Sequence, residues 1–226
     1  LDRQMVEDVA GNLATLQRNG FVPPKTQVLS GVRWPMGPSP GAGSEWYAVS
    51  GYVDLDPAYP NRIRDYTCGT RTYDTAAGYN HRGIDYSLWP FPWHLMDSGS
   101  VDVVAAAPGT LIEKRDGAND RSCNWNGPDD ANYVIILHND GSIARYLHLK
   151  RNSVTSLPIG TAVAAGTVLG KVGSSGISTG PHLHFELRAN NSVNAPVIDP
   201  NNGQCNAAAS AWATIWPPYS PPHGYC

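Results

Sequence analysis

The sequence predicts a mainly β fold: a small antiparallel β-sheet or sandwich core, long groove-forming loops and a short N-terminal helix. Three observations carry this. Glycine (23) and proline (19) are frequent and only 15% of the 226 residues are charged, a turn-rich, helix-poor composition. From residue 101 onward, short β runs recur with turn residues between them, the pattern of an antiparallel sheet. One stretch near the N-terminal end carries helical periodicity.

Residues 4–18, "QMVEDVAGNLATLQR", place Met5, Val6, Val9, Leu13 and Leu16 on one stripe of a helix, and "NGFVPP" ends it. "TQVLSGVRWPMG" then reads as a strand leading into a loop. Residues 37–80 are long, aromatic and Gly/Pro-rich, with "WYAVSGYVDL" as a strand candidate. "VDVVAAAPGTLIEKRD" (101–116) reads as two short strands around the turn "APGT". "NYVIILHNDGSIARYLHL" (132–149) is two β runs split by "NDG", a hairpin signal. "GTAVAAGTVLGKVGSSG" (160–176) gives two more short strands with Gly-centred turns, and "HLHFELR" closes the set.

A net charge of −3 argues against nucleic acid as a partner, because nucleic-acid binders are usually strongly basic. No apolar run reaches about 18 residues, so no membrane span is expected. The start "LDRQMVEDVAG" is charged and is no signal peptide; any export signal would already have been removed. The four cysteines, Cys68, Cys123, Cys205 and Cys226, form no C-x-x-C pair and lie in loop-like contexts. They predict two disulfides in an oxidising compartment, so a secreted or periplasmic protein. Three pairings are possible; Cys68–Cys123 and Cys205–Cys226 are expected, because cysteines near in sequence close most easily.

The chemistry starts at "SSGISTGPHLHFELR", residues 174–188. The first half reads as a flexible turn and the second as a strand. On a strand, residues i and i+2 share a face roughly 6.5–7 Å apart, so His182 and His184 look out together. An isolated H-x-H pair also reads as two surface histidines; the remaining motifs decide. "YNHRGIDYS" holds His81 and Asp85, whose even separation puts both on one face of an extended chain. Alone they read as a surface ion pair. With His184 they make two imidazoles and a carboxylate, a set that leaves zinc a fourth position for water. "RYLHLK" places His148 at the end of the second hairpin strand, sharing a face with Tyr146. If that strand lies beside "HLHFELR", His148 and His182 are free to act as base and oxyanion donor. One histidine of the H-x-H pair then binds metal and the other handles transition-state charge.

At these residues the chain resembles the lysostaphin-type zinc endopeptidases, which include the staphylolysin and β-lytic enzymes. The resemblance rests on "HRGIDY", "RYLHL" and "SSGISTGPHLHFELR", with "VVAAAPGTL", "GTAVAAGTVLGKVG" and "VRWPMG" matching sheet segments. It covers about residues 29–200 and is dense from 81 to 188. It implies one zinc on His81, Asp85 and His184, with His148 and His182 as the catalytic histidines. It also implies a small antiparallel sheet, a narrow groove walled by loops, and cleavage of peptide bonds in bacterial cell-wall peptides, often beside glycine. The expected organisation is an N-terminal helical segment, 1–28, either a pro-segment remnant or a packed extension, followed by a peptidase domain, 29–226. Departures are the long segment 37–80, the aromatic insertion "SLWPFPWHLMDSGS" (87–100) and the long loop 115–132. The tail "SAWATIWPPYSPPHGYC" is expected to pack back, tied by its cysteine. Three readings remain open: an exported zinc endopeptidase acting as a monomer on peptidoglycan peptides, a secreted enzyme degrading glycine-rich protein, or a non-catalytic wall-binding module.

Overall fold

The computed structural model describes residues 2–23, 31–40 and 46–213. The chain begins with helix α1 (Asp2–Arg18), strand β1 (Met36–Pro38), strand β2 (Tyr47–Gly51) and strand β3 (Ile84–Leu88). Helix α2 (Pro92–Asp97) follows, then β4 (Val101–Val104), β5 (Gly109–Arg115), β6 (Tyr133–His138) and β7 (Ile143–Leu147). Two short strands, β8 (Ala162–Val163) and β9 (Val168–Lys171), lead to β10 (His182–Arg188). All named strand pairs are antiparallel, in a seven-stranded sheet of order β2-β3-β10-β7-β6-β5-β8 and a three-stranded sheet β1-β4-β9. The predicted mainly β class is the observed one.

Strand β10 shows how the pattern of "HLHFELR" builds the fold. It is central in the larger sheet, paired with β3 on one side and β7 on the other. Its odd residues, Leu183, Phe185 and Leu187, are buried in the main apolar core. There they meet Tyr86 of β3, Tyr146 of β7, and Val103 and Leu169 of the smaller sheet. Its even residues, His182, His184, Glu186 and Arg188, project from the opposite face. The "NDG" hairpin forms as predicted, β6 against β7, with Gly141 at φ +89° in the turn. The two strands around "APGT" do not pair with each other: β4 joins the small sheet and β5 the large one. The run thus crosses between the sheets and helps close the core.

Helix α1 lies over the same face of the large sheet as His184. Its Met5 and Val9 are fully buried against Ile112, Tyr133, Ile135, Leu137, Ile143 and Leu147. Burying two such side chains contributes roughly 1.5–3 kcal/mol each. Helix α2 sits within the aromatic insertion 87–100. Proline at its first turn starts it, and Lys150 Nζ donates to its last carbonyls, Met96 at 2.8 Å and Asp97 at 2.9 Å.

The expected Cys68–Cys123 and Cys205–Cys226 pairings are corrected at Cys68, which is disulfide-bonded to Cys205 with Cα atoms 5.1 Å apart. Nearness in sequence misleads because the chain after β10 returns across the 65–69 turn. There Cys205 N donates to Tyr66 O at 2.9 Å, and Gly203 abuts the Tyr66 backbone. Cys123 is exposed on the 115–132 loop and has no disulfide partner among the described residues. Cys226 lies outside the described residues, as does the tail beyond Ala213. The described part of the tail packs back: Trp212 lies 5.6 Å from Trp34 and 6.3 Å from Phe185, ring centre to ring centre.

Candidate active site

All five predicted site residues come together on the α1-facing side of the large sheet. Asp85 and His184 are directly opposed in the β3–β10 register, so their side chains share a face. His81 reaches the same point differently from the prediction. It lies in the loop before β3, not on a strand, and chain curvature, not strand alternation, aims its ring at Asp85. Gly83 makes that path possible: a Cβ there would stand 2.6 Å from His184 Nε2 and 2.7 Å from the Phe185 carbonyl.

The three groups are buried and in mutual contact. His81 Nε2 is 3.1 Å from Asp85 Oδ2, His184 Nδ1 is 2.9 Å from Asp85 Oδ1, and the two ring nitrogens are 3.2 Å apart. His81 Nδ1 is 2.7 Å from the Tyr52 carbonyl, which only accepts, so Nδ1 carries the proton and Nε2 faces inward bare. A carboxylate oxygen and two imidazole nitrogens thus converge on one spot. Without a cation, burial opposes charge on His184, but its hydrogen bonds to Asp85 and Glu186 outweigh that and raise it to about 9. Burial likewise pushes the Asp85 carboxyl up, yet the His81 and His182 rings beside it hold it well below the usual carboxylate range. One divalent cation satisfies all three donors at once, and two nitrogens with one oxygen suit zinc chemistry. The residues fit the metal.

His148 and His182 flank this cluster with ring centres 4.6 Å apart, and His148 is 6.0 Å from His184. The expectation that His148 shares a face with Tyr146 is wrong. Tyr146 points into the core, where its hydroxyl accepts from Ala106 N at 2.8 Å. His148 sits just past β7 at φ +66°, and this left-handed residue breaks the alternation and swings the ring to the metal side. Its Nδ1–H donates to the Ser175 carbonyl at 2.7 Å. His182 Nδ1–H donates to the Gly180 carbonyl at 2.8 Å. Both rings therefore present a bare Nε2. Burial is the main reason both are harder to protonate than ordinary histidines, His148 down to about 3.

The 174–181 segment that anchors them was expected as a flexible turn. Ser174, Ser175 and Ser178 are instead almost fully buried. Ser175 Oγ donates to Leu149 O at 2.9 Å and accepts from Asn132 N at 2.9 Å. The serines serve as hydrogen-bonding pins for the carbonyls that orient the histidines.

Sequence reasoning missed two neighbours. Tyr73, from the long 37–80 segment, stacks on His81 with ring centres 4.4 Å apart, and burial, then the Asp85 charge, makes its phenol harder to ionise. Exposed Trp125 meets Tyr73 edge-on at 5.2 Å. Glu186, the next even residue on β10, approaches His184 Nε2 with Oε2 at 3.4 Å. The i, i+2 alternation that found His182 and His184 also marks Glu186. On the other side a groove of about 290 Å³ runs past Asp85 and His182 between Ser50, Ser87, Trp93 and Pro181.

Comparison with known proteins gives this geometry its context. The profile of Peptidase family M23 matches residues 79–196, just over half of the chain and all five site residues. Glycyl-glycine endopeptidase ALE-1 of Staphylococcus capitis is 32% identical over 124 residues, 54% of this chain and 28% of that protein. Peptidoglycan DD-endopeptidase ShyC of Vibrio cholerae is 34% identical over 105 residues, 46% of this chain and 23% of that one. The chain thus spans about a quarter of the length of the curated relatives it matches. A chain in the solved structure of the SpoIIQ–SpoIIIAH pore forming complex shares the fold, with TM-score 0.50, 22% identity, and coverage of 76% of this chain and 90% of that one. A profile that spans half the chain and takes in the whole buried His/Asp cluster leaves one assignment: this chain belongs to peptidase family M23, the metallo-endopeptidases that include the lysostaphin type.

Proposed function

We propose that this chain is an exported zinc endopeptidase that hydrolyses peptide bonds in bacterial cell-wall peptidoglycan, with His81, Asp85 and His184 holding the metal. The observation that carries the reading is the pair His148 and His182. Each is tethered through Nδ1 to a backbone carbonyl and offers Nε2 beside the three converging ligands. When bound, zinc acidifies a coordinated water and polarises the scissile carbonyl. Neither catalytic imidazole fills a ligand position, so both are available for proton transfer. One neutral Nε2 would accept the proton of the attacking water, and the imidazolium so formed would hydrogen-bond the oxyanion and pass that proton to the leaving amine. Burial of Asp85 and the histidines keeps the site in a low dielectric, where these interactions count for more than in water.

The groove supports a substrate with small side chains. Its lining includes the hydroxyl pair Ser50 and Ser87, 2.7 Å apart, with Thr179 and Gly180. Glycine-containing cross-bridges or short cross-link peptides fit such a lining. The disulfide and the absence, among the described residues, of any helix long and apolar enough to cross a membrane accord with export.

The test is hydrolysis by zinc-loaded protein of purified cell walls and of a glycine-rich protein, read as new amino termini. Release from walls that stops with chelator and returns with zinc is expected. Cleavage of the glycine-rich protein alone overturns the wall assignment, and cleavage of neither overturns the enzymatic reading.

A further inference from the structure

The even residues of β10 continue past the metal cluster as a buried ionic stripe. Glu186 is directly opposed by Arg145 of β7, and Arg188 follows two residues on. Arg145, Glu186 and Arg188 are 1%, 4% and 2% exposed. Glu186 Oε1 accepts from Arg188 Nε and stands 3.8 Å from Arg145 Nη1, while its other oxygen faces His184. Two buried guanidinium groups beside one carboxylate leave an excess positive charge, which is costly unless paired. The missing charge comes from the first turn of α1. Asp2 accepts from Arg145 Nη1 at 2.5 Å, contacts Arg188 Nη2 at 3.1 Å and reaches Arg82, next to His81, at 2.8 Å. Glu186, Arg145, Arg188 and Asp2 form a neutral quartet directly behind a metal ligand.

We infer that Glu186 is a positioning residue for the metal site, fixing His184 as the tautomer with Nε2 protonated and Nδ1 bare, and that Asp2 of the N-terminal helix completes the charge balance this requires. Imidazole ligands commonly donate their second N–H to a carboxylate, which sets ring orientation and strengthens the donor nitrogen. Here that carboxylate comes from the same strand face, two residues on. The two arginines aim it from below, and Asp2 keeps them from adding net positive charge next to a bound dication. Residues 2–18 are on this account a working part of the peptidase unit, not a remnant beside it.

The inference rests on His184 being a ligand, so the experiment separates the two. Zinc dissociation constants are measured by chelator competition for the wild type, His184→Ala, Glu186→Gln and Asp2→Asn, and long-range ¹H–¹⁵N spectra of zinc-loaded wild type report the His184 tautomer. The spectra should show Nδ1 on the metal and a protonated Nε2, shifted downfield by its carboxylate partner. Glu186→Gln should move that proton upfield and weaken zinc binding by about 10–100-fold. Asp2→Asn should weaken binding in the same direction but less. If His184→Ala binds zinc like the wild type, the ligand assignment itself fails. If His184→Ala loses zinc but wild-type His184 binds through Nε2, or Glu186→Gln leaves the affinity unchanged, the positioning role is overturned. Unchanged affinity in Asp2→Asn overturns the part given to the helix. Should Glu186→Gln not fold, the wild-type spectrum and Asp2→Asn still decide.

Discussion

Gly83→Ala places one methyl group at the most crowded point of the site. The new Cβ would lie 2.6 Å from His184 Nε2, 2.7 Å from His184 Cε1 and 2.7 Å from the Phe185 carbonyl. Ordinary contact begins near 3.4 Å, so about 0.7–0.8 Å must be recovered against a ring on one side and backbone on the other. The β10 backbone is held by β3 and β7 and yields little. The displacement therefore falls on the 81–84 segment and on the His184 ring, both parts of the proposed metal site. Overpacking of this kind costs about 1–3 kcal/mol of stability. A ligand pushed from its place weakens metal binding on the order of 10–100-fold, the range seen when a ligand's support is lost. The assay is chelator competition for zinc, paired with urea unfolding of the metal-free protein. Gly37→Ala is the control, since a Cβ there meets nothing within 4 Å. A Gly83→Ala protein with wild-type zinc affinity and wild-type stability would refute the reasoning.

Four further outcomes are expected. His148→Ala and His182→Ala each keep stoichiometric zinc and lose about 10²–10⁴-fold in peptide hydrolysis; a variant with zinc intact and near-normal turnover has no place in the mechanism. Gly11→Ala, at an exposed position inside α1 with open space around it, stabilises the protein by about 0.5–1 kcal/mol in urea unfolding. Peptide mapping without reduction finds Cys68 linked to Cys205, and Cys68→Ser costs up to about 5 kcal/mol for a loop of 137 residues; a Cys68–Cys123 link would contradict the fold. His138 is buried with Nδ1–H on the Pro108 carbonyl, and burial lowers its pKa. The unfolded chain therefore takes up this proton first as pH falls through about 6.5, so the contribution is full above that pH and lost below it. His138→Gln should show a smaller loss of stability than wild type between pH 7 and 5, and equal losses would show that His138 is not held neutral.

Much of this was legible in local pattern. The 3.6-residue stripe of Met5, Val9 and Leu13 marked α1, and the period-2 run of "HLHFELR" marked both the core side and the metal side of β10. The three histidine motifs picked out the residues that the fold brings together in the candidate site, because residue type and order survive without coordinates. Pairing across long separations was not legible. Cys68 meets Cys205 only because the chain after β10 doubles back, and Asp2 meets Arg145 across 143 positions. Backbone exceptions were equally hidden. The left-handed turn at His148 reverses the face that alternation assigns it, and the compact path at Gly83 delivers His81 from a loop. The buried serines of 174–178 misled for a related reason: a Gly/Ser-rich stretch reads as solvent-facing until Asn132 and Leu149 are seen to bond it.

The central claim is that His81, Asp85 and His184 form one zinc site. Crystals of the zinc-loaded protein, measured on either side of the zinc absorption edge, test it most directly. The account predicts a single strong anomalous peak about 2.0–2.2 Å from His81 Nε2, His184 Nδ1 and an Asp85 carboxylate oxygen, with His148 and His182 outside the coordination shell. A peak centred on His148 and His182, or no peak in the His81–Asp85–His184 cluster, would contradict it.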